Sequence, residues 1–221
     1  MDIQEFKSIK FFPFLQFDQN TNAVRERELA WLSEKIGSVG LNLEFGVFSG
    51  FSINFLAKSR KDLFFHGFDS FVGLPEDWDM GSKFIRKERF SRDGIAPKVH
   101  ENVQLYPGWF DKTIPAFLAH NAGMSISFLN IDSDLYSSAI TILSELNHLI
   151  EKGTIIRFDE LACWRTVFAE PSPTNEAKRV LYPKWEEQEW KALTEWVKKY
   201  NRRVVPISRD WHQSGTLIVI E

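Results

Sequence analysis

The chain has 221 residues, 43% of them apolar and 26% charged, with a net charge of −3. That balance fits one domain (1–221) with a substantial core, and it gives no electrostatic case for a nucleic-acid or anionic-membrane partner. A single cysteine, Cys163, excludes an internal disulfide and a cysteine-rich zinc site. No apolar run approaches the roughly 18 residues of a membrane-spanning helix. The acidic Asp2 and Glu5 stand where a signal peptide would need its apolar stretch, so a cytoplasmic location is the expectation.

In chain order, residues 1–20 read as an irregular arm whose aromatics, Phe6, Phe11, Phe12, Phe14 and Phe17, need cover. A second subunit of a homo-oligomer is one source of that cover. Thr21 or Asn22 is placed to cap a helix over 23–36, closed by Gly37. Strands and helices then alternate: strand 41–45, helix 51–59, strand 63–68, strand 103–106, helix from 114 with Pro115 in its first turn, strand 126–131, helix 138–150 and strand 154–158. Beyond a loop holding Pro171, Pro173 and Pro183, residues 185–200 form an amphipathic helix with Trp190, Leu193, Trp196, Val197 and Tyr200 on its apolar stripe. Strands at 203–207 and 216–220 close the chain as an antiparallel pair. The alternation predicts an α/β, Rossmann-like, seven-stranded, mostly parallel sheet with helices on both faces and the last strand antiparallel. Eight Trp and twenty Phe are read as core, with an aromatic-walled pocket as the alternative.

Two of the strands end abruptly in carboxylates. Ligands of open α/β sheets sit beyond the carboxyl ends of the strands. If the 126–131 and 154–158 strands are neighbours, Asp132, Asp159 and Glu160 converge on one crevice. Carboxylates brought together repel unless a hard cation or a proton lies between them, so the triplet asks for a divalent metal. Capping of the helix that follows is the competing reading of Asp132 and Asp134. The five histidines show no metal-ligand spacing.

The first strand runs into Leu43-Glu-Phe-Gly-Val-Phe-Ser-Gly-Phe-Ser52. Gly46 and Gly50 permit a tight turn and close approach of a ligand to a helix N-terminus. The spacing is not the Gly-x-Gly-x-x-Gly of a dinucleotide fingerprint. Asp69, at the end of the next strand, stands where an acid accepts the hydroxyls of an adenosine ribose; capping of a turn is its alternative. Residues 72–101 form a long polar connection rich in Lys and Arg, read either as a solvated loop or as a lid over an anionic substrate. Arg157 is a charge inside an apolar strand, either paired with an acid or near the sheet end with its head in solvent.

Together with Gly67-Phe-Asp-Ser-Phe-Val-Gly-Leu-Pro-Glu-Asp-Trp78, Gly108-Trp-Phe-Asp-Lys-Thr-Ile-Pro115, Ile131-Asp-Ser-Asp-Leu-Tyr-Ser-Ser138 and Phe158-Asp-Glu160, the glycine turn resembles class I S-adenosylmethionine-dependent methyltransferases. Across about residues 20–220 the blocks are similar, in order, to the macrocin O-methyltransferase family. The resemblance implies that Glu44, Gly46 and Ser52 surround the methionine end of S-adenosylmethionine. It implies that Asp69 holds the ribose with Ser70 beside it, and that Gly108 and Trp109 border the adenine. It places Mg²⁺ on Asp132, Asp159 and Glu160, the last being Asp in the best-described metal-binding members. Asp134 takes the general-base position. The implied activity is O-methylation of a sugar or glycosylated small molecule. A metal-dependent glycosyltransferase using Asp132-Ser133-Asp134, and a non-catalytic cofactor-binding protein, are the alternatives.

Overall fold

The structure, a computed structural model, describes residues 1–12, 21–169 and 181–221. Phe14, Phe17, Pro171, Pro173 and the side chains of Thr21 and Asn22 lie outside the described residues. Among the described residues ten strands are formed: β1 (Lys10–Phe12), β2 (Leu41–Phe45), β3 (Phe65–Asp69), β4 (Trp78–Asp79), β5 (Phe84–Ile85), β6 (Val103–Pro107), β7 (Ile126–Ile131), β8 (Ile155–Phe158), β9 (Val204–Asp210) and β10 (Gly215–Val219). The helices are α1 (Thr21–Ser33), α2 (Phe51–Ser59), α3 (Phe110–Asn121), α4 (Tyr136–Glu145), α5 (Trp164–Val167) and α6 (Glu189–Lys199).

Eight strands make one sheet in the order β1-β9-β10-β8-β7-β2-β3-β6, in which only β10 runs antiparallel to its neighbours. The seven expected strands are all present; the eighth, β1, comes from the arm. That arm is less irregular than its composition implies. Asp2 caps a short 3-10 turn over Ile3–Ser8 in a reciprocal capping box with Glu5, and β1 then adds in parallel to β9. The turn buries Phe6 completely, its ring 4.8 Å from that of Trp164.

The core lies on both sheet faces. Ile114, Phe117, Ala139, Ile142, Leu193 and Trp196 of α3, α4 and α6 cover one; Leu29, Leu32, Ile53 and Leu56 of α1 and α2 cover the other. Pro115 falls in the second turn of α3 rather than its first, because the helix already begins at Phe110. The 72–101 connection carries the β4–β5 hairpin, which buries Trp78 and Met80 in the main core, so its middle is anchored to the body of the protein. Among the described residues no helix is long and apolar enough to cross a membrane.

Strand order fixes where a ligand belongs. From β2 the chain moves outward through β3 to β6, then returns to place β7 on the other side of β2. The crevice between the carboxyl ends of β2 and β7 is the point at which the winding reverses.

One polar row crosses this apolar sheet. Glu44, Asn130 and Arg157 stand side by side on β2, β7 and β8. Asn130 donates to Glu44 at 3.0 Å and accepts from Arg157 at 3.1 Å. Arg157 is buried, and its Nη2 and Nε reach Glu28 of α1 at 2.9 and 3.1 Å. Of the two readings of Arg157, the paired one holds. Removing one partner of a buried pair leaves an uncompensated charge worth about 3–5 kcal/mol. Chemical denaturation of Arg157→Met should therefore show a loss of about that size; an unchanged midpoint would refute a structural role for the row.

Candidate active site

Side chains two apart on a strand share a face. Asp132 follows Asn130 by two residues and Asp159 follows Arg157 by two, so both acids continue the polar row beyond the strand ends. Arg157 accordingly reaches forward to Asp159 at 2.6 Å. Glu160 joins them, with one ligand oxygen from each of Asp132, Asp159 and Glu160 all within 4.8 Å of one another. The sequence-based convergence is realised. It also contains a cation absent from that reading. Arg25 of α1 ion-pairs with Asp132, and its Nη2 lies 3.4 Å from Asp159.

The electrostatics follow from crowding in a poorly solvated pocket. Burial, then the neighbouring Asp159, pushes Asp132 up to about 6. Burial alone would also raise Asp159, but Arg25 and Arg157 outweigh it and hold that carboxyl below the usual carboxylate range. Burial and the surrounding carboxylates drive Asp134 and Glu160 well above it. Glu160 has one buried oxygen, Oε2, without a hydrogen-bond partner. Two guanidiniums therefore serve Asp159 and Asp132 and leave Glu160 unserved.

The other half of the site is the turn after β2. Its glycine at 46 has φ +93°, and a Cβ there would lie 1.6 Å from the carbonyl oxygen of Asp132. The close approach that demands glycine is the protein's own backbone. The turn and the acid-bearing loop are thus pressed together, with the Asp132 amide donating to the Phe45 carbonyl at 2.8 Å. Gly50, at φ +80°, caps α2 and packs near Asn54 and Pro97 rather than facing the cavity. Glu44 is buried beneath the turn, accepting from Ser52 at 2.9 Å, and burial followed by Asp132 raises it to about 7.

Asp69 makes the turn-capping contacts of its second reading and keeps room for the first. Its carboxylate accepts the amides of Phe48 at 2.6 Å and Phe71 at 2.7 Å, two residues held at positive φ. A carboxylate has about four acceptor positions, so capacity for ligand hydroxyls remains. Ser70 donates to the Gly73 carbonyl at 2.7 Å. Trp109 precedes α3 with its ring partly exposed, and Gly108 turns the chain at φ +139°.

A cavity of about 790 Å³ joins these parts. Gly46, Ser52, Asp69, Ser70 and Trp109 line it together with Arg25, Asp132, Asp134, Asp159 and Glu160. Of the sequence-assigned residues, Glu44, Gly50 and Gly108 stay outside its lining.

A family model described as a methyltransferase domain matches residues 43–161, more than half of the chain. The chain belongs to this methyltransferase family. No curated protein matches it. Among solved structures, calicheamicin methyltransferase CalS11 is 20% identical, with 90% of this chain and 80% of that one covered and a TM-score of 0.65. The O-methyltransferase NovP is also 20% identical, with 89% and 80% covered and a TM-score of 0.55. The O-methyltransferase from Bacillus cereus, in complex with SAH, is 12% identical, with 92% and 83% covered and a TM-score of 0.53. At these identities the likeness establishes a shared fold.

The methyltransferase site also has a support that the sequence reading missed. Glu189, the first residue of α6, is fully buried and accepts the Ser133 amide at 3.3 Å and the Glu160 amide at 3.1 Å. One carboxylate thus ties the loop after β7 to the loop after β8. The signal was present: Glu189, Ala192, Leu193 and Trp196 form one buried i, i+3, i+4, i+7 stripe, with an acid where the period asks for an apolar side chain. Glu189→Ala strands two buried amides, each worth about 1–3 kcal/mol. Thermal melting should register that loss, and Glu189→Gln, which keeps one acceptor oxygen, should recover part of it. Equal melting of Ala and Gln variants would contradict the tie.

Proposed function

We propose that this protein is an S-adenosylmethionine-dependent O-methyltransferase of the macrocin O-methyltransferase type, acting on a hydroxyl of a sugar or glycosylated small molecule with the help of Mg²⁺. The observation that carries the reading is the single cavity that joins the glycine turn and Asp69 to four carboxylates. A glycosyltransferase, which Asp132-Ser133-Asp134 permits in isolation, has no use for the adenosine end of that cavity and is not the family matched. The sugar acceptor is supported by the likeness to CalS11, described as a TDP-rhamnose 3'-O-methyltransferase.

Ser52 and the backbone of Gly46 would hold the methionine end of the cofactor, Asp69 would accept from its ribose with Ser70 beside it, and Trp109 would border the adenine. The sulfonium of the cofactor supplies the methyl group, so one S–C bond breaks as an O–C bond forms. Asp132, Asp159 and Glu160 fit a hard divalent cation: the set is all oxygen, closely spaced, and leaves a buried oxygen of Glu160 unsatisfied. A divalent cation held there adds positive charge that lowers the pKa of an acceptor hydroxyl. Asp134 lies beside these acids at the acceptor end and takes the hydroxyl proton as the new bond forms. Walls that held the two reactants in line would supply about 7–11 kcal/mol of the barrier.

Two measurements test this. S-adenosylhomocysteine should raise the melting temperature, whereas stabilisation by nucleotide sugars alone would overturn the methyltransferase reading. Asp134 sits at φ +63°, a conformation that Asn tolerates, so Asp134→Asn removes the base with little strain. It should keep the S-adenosylhomocysteine shift and lose about 10²–10⁴-fold in turnover, the range of a general base. Undiminished methyl transfer by that variant would eliminate Asp134 as the base.

A further inference from the structure

The acidic cluster already holds a cation of the protein's own. Arg25 reaches in from the first turns of α1 and touches Asp132 and Asp159 with the same nitrogen. It differs from the other guanidinium of the site in how it is held. Arg157 is buried and bonded to Glu28, Asn130 and Asp159. Arg25 is 29% exposed at its side chain, lines the cavity, and has a buried Nε without a partner among the described residues. It also packs on the Phe51 ring, 5.7 Å from the guanidinium carbon. Among the described residues, the polar partners of Arg25 are therefore the two carboxylates that a metal would need.

We propose that Arg25 is a displaceable internal counter-ion of the metal site. It and a divalent cation exclude one another at Asp132 and Asp159, and the metal binds only as the guanidinium leaves. The geometry gives the exchange a direction. Arg25 serves two of the three carboxylates and leaves Glu160 Oε2 unsatisfied, whereas one cation among the three can serve all of them. In the metal-free protein, Arg25 keeps Asp132 and Asp159 from repelling one another, so the two loops stay in place. Because only the Arg25-free fraction is competent, the apparent metal affinity is the intrinsic affinity multiplied by that fraction.

This inference rests on the metal reading above, and the test separates the two. Mg²⁺ binding to the full-length protein is measured by calorimetry, without cofactor or acceptor, for wild type, Arg25→Ala and Arg25→Lys. Ala is a good helix former, so α1 should be retained. Arg25→Ala should bind Mg²⁺ at least about tenfold more tightly, the factor expected if Arg25 occupies the site ten times as often as it leaves it. Arg25→Lys, which keeps the charge but lacks the planar fork, should fall between. In parallel, the Nε–Hε resonance of Arg25, assigned by its loss in Arg25→Lys, should move to a new position as Mg²⁺ is added to wild type. A through-space charge effect would also move that resonance but would leave the buried Hε protected from water, whereas release exposes it, so the rate of Hε exchange with water should rise on saturation. Equal or weaker Mg²⁺ binding by Arg25→Ala, or an unchanged Hε exchange rate at saturating Mg²⁺, overturns the exchange and leaves the metal reading standing. Absence of Mg²⁺ binding in all three proteins overturns both.

Discussion

Negative charge at the carboxyl end of the sheet is the constraint around which the rest of the molecule is organised. Asp132, Asp134, Asp159, Glu160 and Glu189 crowd the ends of β7 and β8, with Glu44 and Glu28 just below. Such a cluster folds only if each charge is neutralised, paired or supplied with donors. The protein uses pairing and donors. Arg157 enters through the sheet itself and joins Glu28 to Asp159. Arg25 enters from the helix above and pairs with Asp132. Glu189 receives backbone amides from the very loops whose acids it stands beside. Burying a carboxylate to hold other carboxylates in place is costly, and it is intelligible where positions must be kept to a fraction of an ångström.

The two halves of the cavity are one mechanical unit. Gly46 belongs to the turn that lines the cavity, yet the atom that makes glycine obligatory there is the Asp132 carbonyl. Movement of the turn must therefore move Asp132. Asp69 plays a matching part on the other side, drawing the amides of Phe48 and Phe71 together at positive φ. The turn and the acid-bearing loop are thus set relative to one another by backbone contacts, the kind of fixed arrangement that in-line transfer would require.

The topology and most of the candidate site were legible because strands buried on both faces read as mainly apolar runs, and because those of β3, β7 and β8 ran into acids. Asp132 and Asp159 needed only the assumption that their strands were neighbours. What stayed hidden sits on helices. Arg25 and Glu28 lie in the stretch Arg25-Glu-Arg-Glu28, which reads as a solvated charged face. Only the packed helix shows that Glu28 continues the stripe through Val24 and Leu32 and is buried with it. Glu189 was hidden in the same way at the start of an amphipathic helix. In both cases an acid occupies a position that helical periodicity assigns to the core. Strand β1 escaped notice for a different reason: three residues at a sheet edge carry too little pattern to separate a strand from an arm.

The most direct measurement is a crystal structure of the protein with S-adenosylhomocysteine and Mn²⁺, with anomalous scattering used to locate the metal. The expected result is the nucleoside lying along Asp69, with one anomalous peak among Asp132, Asp159 and Glu160 and the Arg25 guanidinium withdrawn from the first two. A bound nucleoside with no peak at saturating Mn²⁺, and Arg25 still seated between Asp132 and Asp159, would contradict it.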